Sequence, residues 1–348
     1  MLQTITIDEL RIGMYVKDVT WAGTKFKVKT QGIVKSQNTI EQLKKQGVVR
    51  LLVEYTPVGE PEEMAISAKD SESANGSNDP KVSTVHGDNI PSRSLEDEFV
   101  LSCKIYDNAS QGIQALFNTN NSDERPNAAA INELANEITD SIIRNEYAMT
   151  ILTRIRDKST YHWEHAINSG ILLCGFSLYL GLKKETATQI ALGGMLHDVG
   201  TAKVPQGILS KTGKLTEQDI QAVRKHVAWG FELCKKDGLA NKIIIDMTAN
   251  HHERLDGSGY PRGVGKNSLS KLARMTAIVD VYDAMTGDKT YKAGEPPINA
   301  LRYLMSKNEL FDRNLVQQFI KYLGVDPVGS LVKLFNDKLA VVIQGNRT

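Results

Sequence analysis

Six of the chain's seven histidines, His162, His165, His197, His226, His251 and His252, fall within one stretch of fewer than a hundred residues. Neutral imidazole binds first-row transition metals, and several such rings joined by carboxylates can surround a pair of cations. The carboxylates are at hand. Asp198 directly follows His197, and Asp280 and Asp283 stand one helical turn apart in Ile278-Val279-Asp280-Val281-Tyr282-Asp283-Ala284. An aspartate in an apolar helix is costly to bury unless it is paired or bound to a metal. Taken alone, His197-Asp198 after the apolar run 190–196 reads as a capped, hydrogen-bonded pair at a helix end. Adjacent His251-His252, followed by Glu253, Asp256 and a Gly-Ser-Gly-Tyr-Pro loop, is not explained by packing, and the combined pattern favours metal. His162 and His86 keep the plain reading, one as a neighbour of His165 on the same helix, the other in a polar stretch.

Other chemistries fit less well. His162-Trp163-Glu164 raises a zinc deaminase, but no Pro-Cys-x-x-Cys follows. Cys103, Cys174 and Cys234 are odd in number and widely spaced, which suits neither a disulfide framework nor a zinc knuckle and is consistent with a reducing cytoplasm. Forty-two basic against 41 acidic residues leave a net charge of +1, so no global field recruits DNA or anionic membrane. The first 14 residues lack the basic-then-apolar pattern of a signal peptide. Residues 167–182 are too interrupted by Asn168, Ser169, Gly170, Gly175 and Ser177 for a membrane span. The chain is therefore expected to be cytoplasmic.

The elements that must position these groups are mostly helical. A length of 348 residues suits about two domains. Residues 1–56 carry β-branched runs at 4–7, 16–20, 26–29 and 48–55, punctuated by glycines, with one helix at 36–47, and are expected to form a small α+β domain. Residues 57–94 are polar and proline-bearing and are expected to be a flexible linker. Helical periodicity then dominates to about residue 323, broken at 118–126 by a loop, and the runs 331–334 and 339–343 predict a terminal β-hairpin. Residues 95–348 thus form a second, mainly α domain. The apolar periodicity of 95–157 suits either a homodimer interface or a core hairpin.

Three strings, Leu196-His197-Asp198-Val199-Gly200, His251-His252-Glu253-Arg254-Leu255-Asp256-Gly257-Ser258-Gly259-Tyr260-Pro261 and Asp280-Val281-Tyr282-Asp283-Ala284-Met285, resemble the HD-GYP proteins, a branch of the helical HD superfamily. The likeness spans about 95–343. Leu10-Arg11-Ile12-Gly13-Met14-Tyr15-Val16 looks like the uncharacterised domain that often precedes HD-GYP domains. Other HD hydrolases, acting on nucleotide triphosphates or guanosine alarmones, lack the GYP string.

The resemblance implies a metal-dependent phosphodiesterase that opens cyclic di-GMP, or mixed cyclic GMP-AMP, to the linear dinucleotide. It implies two divalent transition metal ions, iron or manganese ahead of calcium, held by His165, His197, Asp198, His226, His251, His252 and Asp280, with Asp198 as the bridge. Such a pair lowers the pKa of bound water and shares the resulting hydroxide between ions about 3.5–4 Å apart. Lys289 and Lys292 match basic positions near the substrate phosphates, and Lys292 and Asp198 are the expected catalytic residues. A GGDEF-type cyclase is the implied protein partner, through the GYP loop.

Two departures stand out. Tyr161 occupies a position where some members have a glutamate for a third metal, which predicts a two-metal centre. Thr201 stands where the family usually has a substrate-contacting lysine, with Lys203 two residues on. That change admits an alternative, a catalytically weak module that binds the cyclic dinucleotide and signals.

Overall fold

The β-branched runs near the N-terminus pair as an antiparallel sheet. The computed structural model describes residues 2–10, 15–22, 32–33, 37–45, 48–54, 90–117, 128–154, 161–211, 213–288, 293–333 and 338–345. It divides into two compact units, 1–79 and 80–348. In the first, β1 (Leu2–Thr6), β2 (Tyr15–Ala22), β3 (Gly32–Ile33) and β4 (Val48–Glu54) lie in the order β1-β4-β2-β3, and α1 (Gln37–Lys45) precedes β4. β1 runs against β4 from Leu2↔Glu54 to Thr6↔Arg50. Ile7–Glu9 leaves the strand expected at 4–7 as a 3-10 turn, which buries Ile7 and Leu10 with Val16 and Ile40. Lys44, in the last turn of α1 where a cation opposes the helix dipole, pairs with Asp8 at 2.7 Å. Of the linker expected at 57–94, only 90–94 are described. The strand at 26–29, motif residues 11–14, the loop at 118–126, His86, Lys289 and Lys292 lie outside the described residues.

The second unit is built from helices α2 (Leu95–Phe117), α3 (Ala128–Arg144), α4 (Glu146–Leu152), α5 (Tyr161–Tyr179), α6 (Lys184–Leu196), α7 (Gln206–Leu209), α8 (Glu217–Arg224), α9 (His226–Lys236), α10 (Lys242–Asn250), α11 (Lys271–Thr286), α12 (Pro297–Ser306) and α13 (Arg313–Leu323). The hairpin expected at the C-terminus forms from β5 (Leu331–Lys333) and β6 (Leu339–Val341), with Leu331 opposite Val341. Together the two units make a mainly α protein with a small α+β unit at its N-terminus.

Helix α5 is buried on every side from Glu164 to Ser177 because it is the spine between two cores. Ile167, Ile171 and Cys174 join α2, α3, α4 and α6 on one side, while Leu172, Leu173 and Phe176 join α10, α11, α12 and α13 on the other. Each fully buried side chain of this size contributes on the order of 2 kcal/mol. The α2 and α3 residues Ile105, Ile113, Ile131 and Ile138 are themselves buried in the first core, so their periodicity serves a core hairpin. That hairpin is locked by Glu98. Its buried carboxylate accepts from Arg144 Nε at 2.8 Å, Arg144 Nη2 at 2.9 Å and Ser141 Oγ at 2.7 Å.

The crossing of α5 on α6 sets up the site. A Cβ on Gly194 would stand 2.8 Å from the Cα of Gly170, so only glycine lets the two backbones come this close. The close approach places the N-terminal part of α5, with His165, beside the C-terminus of α6, with His197.

Candidate metal centre

Helix ends deliver most of the cluster. His165 lies near the start of α5, His197 caps α6, Asp198 follows it at the head of a 3-10 turn (Val199–Lys203), and His226 opens α9. His251 caps α10, His252 follows, and Asp280 projects from α11. A helix terminus leaves carbonyls without intrahelical partners. Three histidines use carbonyls three residues behind them. His197 Nδ1 is 2.6 Å from the Gly194 oxygen, His226 Nδ1 2.6 Å from Val223, and His251 Nδ1 2.9 Å from Thr248. A carbonyl only accepts, so each Nδ1 carries the proton and each Nε2 presents a lone pair to the interior.

Those lone pairs converge on one another and on carboxylate oxygens. His226 Nε2 is 3.2 Å from His251 Nε2 and 3.1 Å from Asp198 Oδ1, which is 3.4 Å from His251 Nε2. Asp198 Oδ2 faces the other way, 3.8 Å from both His165 Nε2 and His197 Nε2. Asp280 Oδ1 lies 3.2 Å from His165 Nε2 and 3.8 Å from His197 Nε2, and Asp280 Oδ2 is 3.7 Å from His252 Nδ1. Such atoms repel at these distances unless a proton or a metal ion lies between them. His197 Nε2 and Asp198 Oδ1 are indeed buried without a hydrogen-bond partner, which costs free energy that metal coordination would recover.

The donors fall into two groups, Asp198, His226, His251 and His252 in one and His165, His197 and Asp280 in the other. Within each, the ligand atoms lie within 4.8 Å of one another. Neutral imidazole and carboxylate together are the donor set of a first-row transition metal, so these residues fit the divalent ions expected of them.

Electrostatics point the same way. Burial opposes charge on Asp198 and Asp280, yet the surrounding rings, His197 foremost around Asp198 and His165 around Asp280, hold both well below the usual carboxylate range. Burial pushes His251 and His252 down, so they remain neutral donors. At His165 burial is outweighed by hydrogen bonds to Asp280 and Asp283, which hold the ring up at about 10. The carboxylates therefore favour positive charge at the centre of the cluster.

All seven residues expected as ligands are brought together. Thr201 lies nearby, but its hydroxyl donates to the Asp198 carbonyl at 2.7 Å and so braces the 3-10 turn, while Lys203 is exposed. Two supporting roles were not assigned from the sequence. Asp283 Oδ2 accepts from His165 Nδ1 at 2.7 Å and turns Nε2 of that ring inward. Glu253 accepts from the backbone N–H groups of Arg262 at 2.8 Å and Val264 at 3.1 Å, which folds the Gly-Tyr-Pro loop back over the double histidine. Asp283 stood out in the sequence as a carboxylate one turn after Asp280, but its pairing with His165 did not. Glu253 carries no signal of its bonds, since they depend on the loop closing.

An HD domain model matches residues 156–315, and a domain of unknown function, DUF3391, matches 2–131. The chain is 30% identical over 347 residues to the cyclic di-GMP phosphodiesterase PA4108 of Pseudomonas aeruginosa, covering 99% of this chain and 82% of that protein. It is 36% identical over 146 residues to the cyclic di-GMP phosphodiesterase response regulator RpfG of Xanthomonas campestris, covering 41% of this chain and 38% of that one. It is 31% identical over 158 residues to the 3′3′-cGAMP-specific phosphodiesterase 1 of Vibrio cholerae, covering 45% and 36% respectively. Among solved structures, Bd1817, an HDG"Y"P protein from Bdellovibrio bacteriovorus, shares the fold with a TM-score of 0.51 at 14% identity, over 92% of this chain and 98% of that one. With its His/Asp cluster built on an HD domain and a likeness to PA4108 that runs nearly end to end, the chain belongs to the HD-GYP family.

Proposed function

We propose that this chain is a metal-dependent phosphodiesterase that hydrolyses a cyclic dinucleotide, cyclic di-GMP or mixed cyclic GMP-AMP, to the linear dinucleotide. The observation that carries this is Asp198. Its two oxygens face the two donor groups separately, Oδ1 toward His226 and His251 and Oδ2 toward His165 and His197. A single carboxylate so placed would serve both groups, and these residues would hold two ions, iron or manganese by donor chemistry. Such a pair supplies Lewis acidity toward phosphate oxygens and a water acidic enough to attack near neutral pH.

The chain's own residues do the rest. His165, His197 and Asp280 would hold one ion, and His226, His251 and His252 the other. Asp198 and His252 are the most exposed of these side chains, each at 20%, so the phosphodiester approaches on their side. Names of relatives support both substrates, since PA4108 is a cyclic di-GMP phosphodiesterase and the Vibrio cholerae relative is specific for 3′3′-cGAMP. Among the described residues no helix is long and apolar enough to cross a membrane, in keeping with action in the cytoplasm on a diffusible nucleotide.

The alternative, a module that binds without cleaving, is favoured by one observation, the occupation of the usual lysine position by Thr201. Hydrolysis of both nucleotides by Mn²⁺- or Fe²⁺-loaded protein, beside a His197→Ala/Asp198→Ala variant, separates the two. Turnover that the double substitution abolishes supports the enzyme, and the faster substrate names the base preference. Binding without turnover in the loaded wild type refutes the enzyme and supports the module.

A further inference from the structure

Solvent reaches the cluster beside His252, and there the structure offers a cation that the sequence did not single out. The Tyr260 ring lies on the His252 ring, with centroids 4.6 Å apart and planes 27° apart. The guanidinium of Arg224 lies over that same tyrosine, its Cζ 4.8 Å from the ring centroid. Arg224 is in the last turn of α8, two residues before His226, and is exposed. It is thus within two stacking distances of His252 and beside the more accessible edge of the cluster.

Its neighbours differ from it in one respect. Arg254 donates to the carbonyls of His251 at 3.0 Å and Glu253 at 2.9 Å, and Arg262 donates to Asn250 Oδ1 at 2.8 Å. Both are engaged in holding the loop. Arg224 makes no hydrogen bond or ion pair with a described side chain. Stacking engages only the face of a guanidinium and leaves its in-plane N–H donors free, in a geometry that matches two phosphate oxygens. The stack also limits the rotamers Arg224 must lose on binding, which lowers the entropic cost of recruiting it.

A cyclic dinucleotide carries two phosphates in one ring, and a single His/Asp cluster would act on one of them at a time. We propose that Arg224, held over the Tyr260 ring, binds the second phosphate. This rests on the phosphodiesterase function proposed above. It explains how the chain grips a dianionic substrate although Thr201 replaces the usual lysine.

The test compares cyclic di-GMP with bis(p-nitrophenyl) phosphate, a diester with one phosphate, on Mn²⁺-loaded full-length protein. Loss of a charge-assisted hydrogen-bond pair in Arg224→Ala is expected to raise KM for cyclic di-GMP about tenfold with little change in kcat. The ratio of kcat/KM for the two substrates should fall by the same factor, with metal per chain as in wild type. Arg224→Lys, a point charge without the fork, should recover part of the loss. An unchanged ratio overturns the proposal, as does a loss that strikes both substrates together with metal content. If the wild type cleaves neither substrate, the proposed activity fails separately. Calorimetric binding of cyclic di-GMP to wild type and Arg224→Ala then decides the role of Arg224, equal affinities overturning it.

Discussion

Asp283→Asn removes one charge and almost no volume, so it isolates what the carboxylate does for His165. Asp283 is fully buried, and its Oδ2 accepts from His165 Nδ1 at 2.7 Å. The asparagine amide oxygen can still accept this bond, so the ring keeps its orientation and no cavity opens. What is lost is the charge assistance. Hydrogen bonds to charged groups contribute about 1.5–3 kcal/mol against about 0.5–1.5 kcal/mol for neutral ones, a difference on the order of 1 kcal/mol. Outer-shell partners of metal-binding histidines typically carry about 10–100-fold in metal affinity. The expected effect is a loss of about tenfold, close to 1.4 kcal/mol. It should be confined to the group of His165, His197 and Asp280, because His226 and His251 lean on backbone carbonyls instead. A Mn²⁺ titration against a competing chelator resolves this as one weakened class of site beside one unchanged. Two unchanged affinities, or two equally weakened ones, would refute the assignment of Asp283 to His165 alone.

Three further outcomes follow from the packing. A Cβ at Gly200 would stand 1.9 Å from the His226 carbonyl oxygen and 2.4 Å from the Gly230 nitrogen, so Gly200→Ala must push the 3-10 turn off α9. Thermal unfolding should show a loss of about 1–3 kcal/mol, and metal content should fall because Asp198 moves with the turn. Arg144→Met leaves the buried Glu98 carboxylate with the Ser141 hydroxyl and, as a charge partner, Arg93 at 3.8 Å. Urea unfolding should report about 3 kcal/mol of destabilisation, mostly restored by adding Glu98→Gln, and a cost under about 1 kcal/mol would contradict the role of the pair. Asp219 is held at about 2, first by Lys211 and then by Thr216, below its ordinary 3.8. A depressed carboxyl stabilises the fold above its unfolded pKa and loses that contribution as pH falls through the folded one. The stability gap between wild type and Asp219→Asn should therefore be full above about pH 5 and close toward about pH 2, and a gap independent of pH would contradict it.

The clustering of histidines and carboxylates was legible in the sequence because metal binding constrains residue type more tightly than packing does, while the seven expected ligands came from the family resemblance. Packing alone gives no reason to gather six histidines in one stretch or to set carboxylates in apolar runs beside them. The helical spine was legible for a similar reason, since an apolar run such as 167–176 must be buried on every side. Contacts between distant segments were not legible. Arg224 meets Tyr260 only because α8 and the Gly-Tyr-Pro loop converge on His252, and neither residue carries a local mark of it. Which ring nitrogen faces inward is likewise a matter of geometry. His252 turns Nδ1 toward Asp280, whereas its neighbour His251 turns Nε2 toward Asp198. Thr201 shows the limit of motif comparison, because its difference from lysine was plain while its bond to the Asp198 carbonyl was not. The early 3-10 turn at Ile7–Glu9 was hidden because Ile7, which the turn buries, extends a β-branched run.

A two-ion centre sharing Asp198, as proposed, requires two metals per chain, and counting metal alongside cyclic dinucleotide turnover tests it. Wild-type protein loaded with Mn²⁺ or Fe²⁺ should hold about two ions per chain, as expected of a shared-carboxylate pair, and should cleave the nucleotide. Asp198→Ala should hold fewer than one and lose turnover. Full turnover by Asp198→Ala, or by wild type carrying a single ion, would contradict the claim.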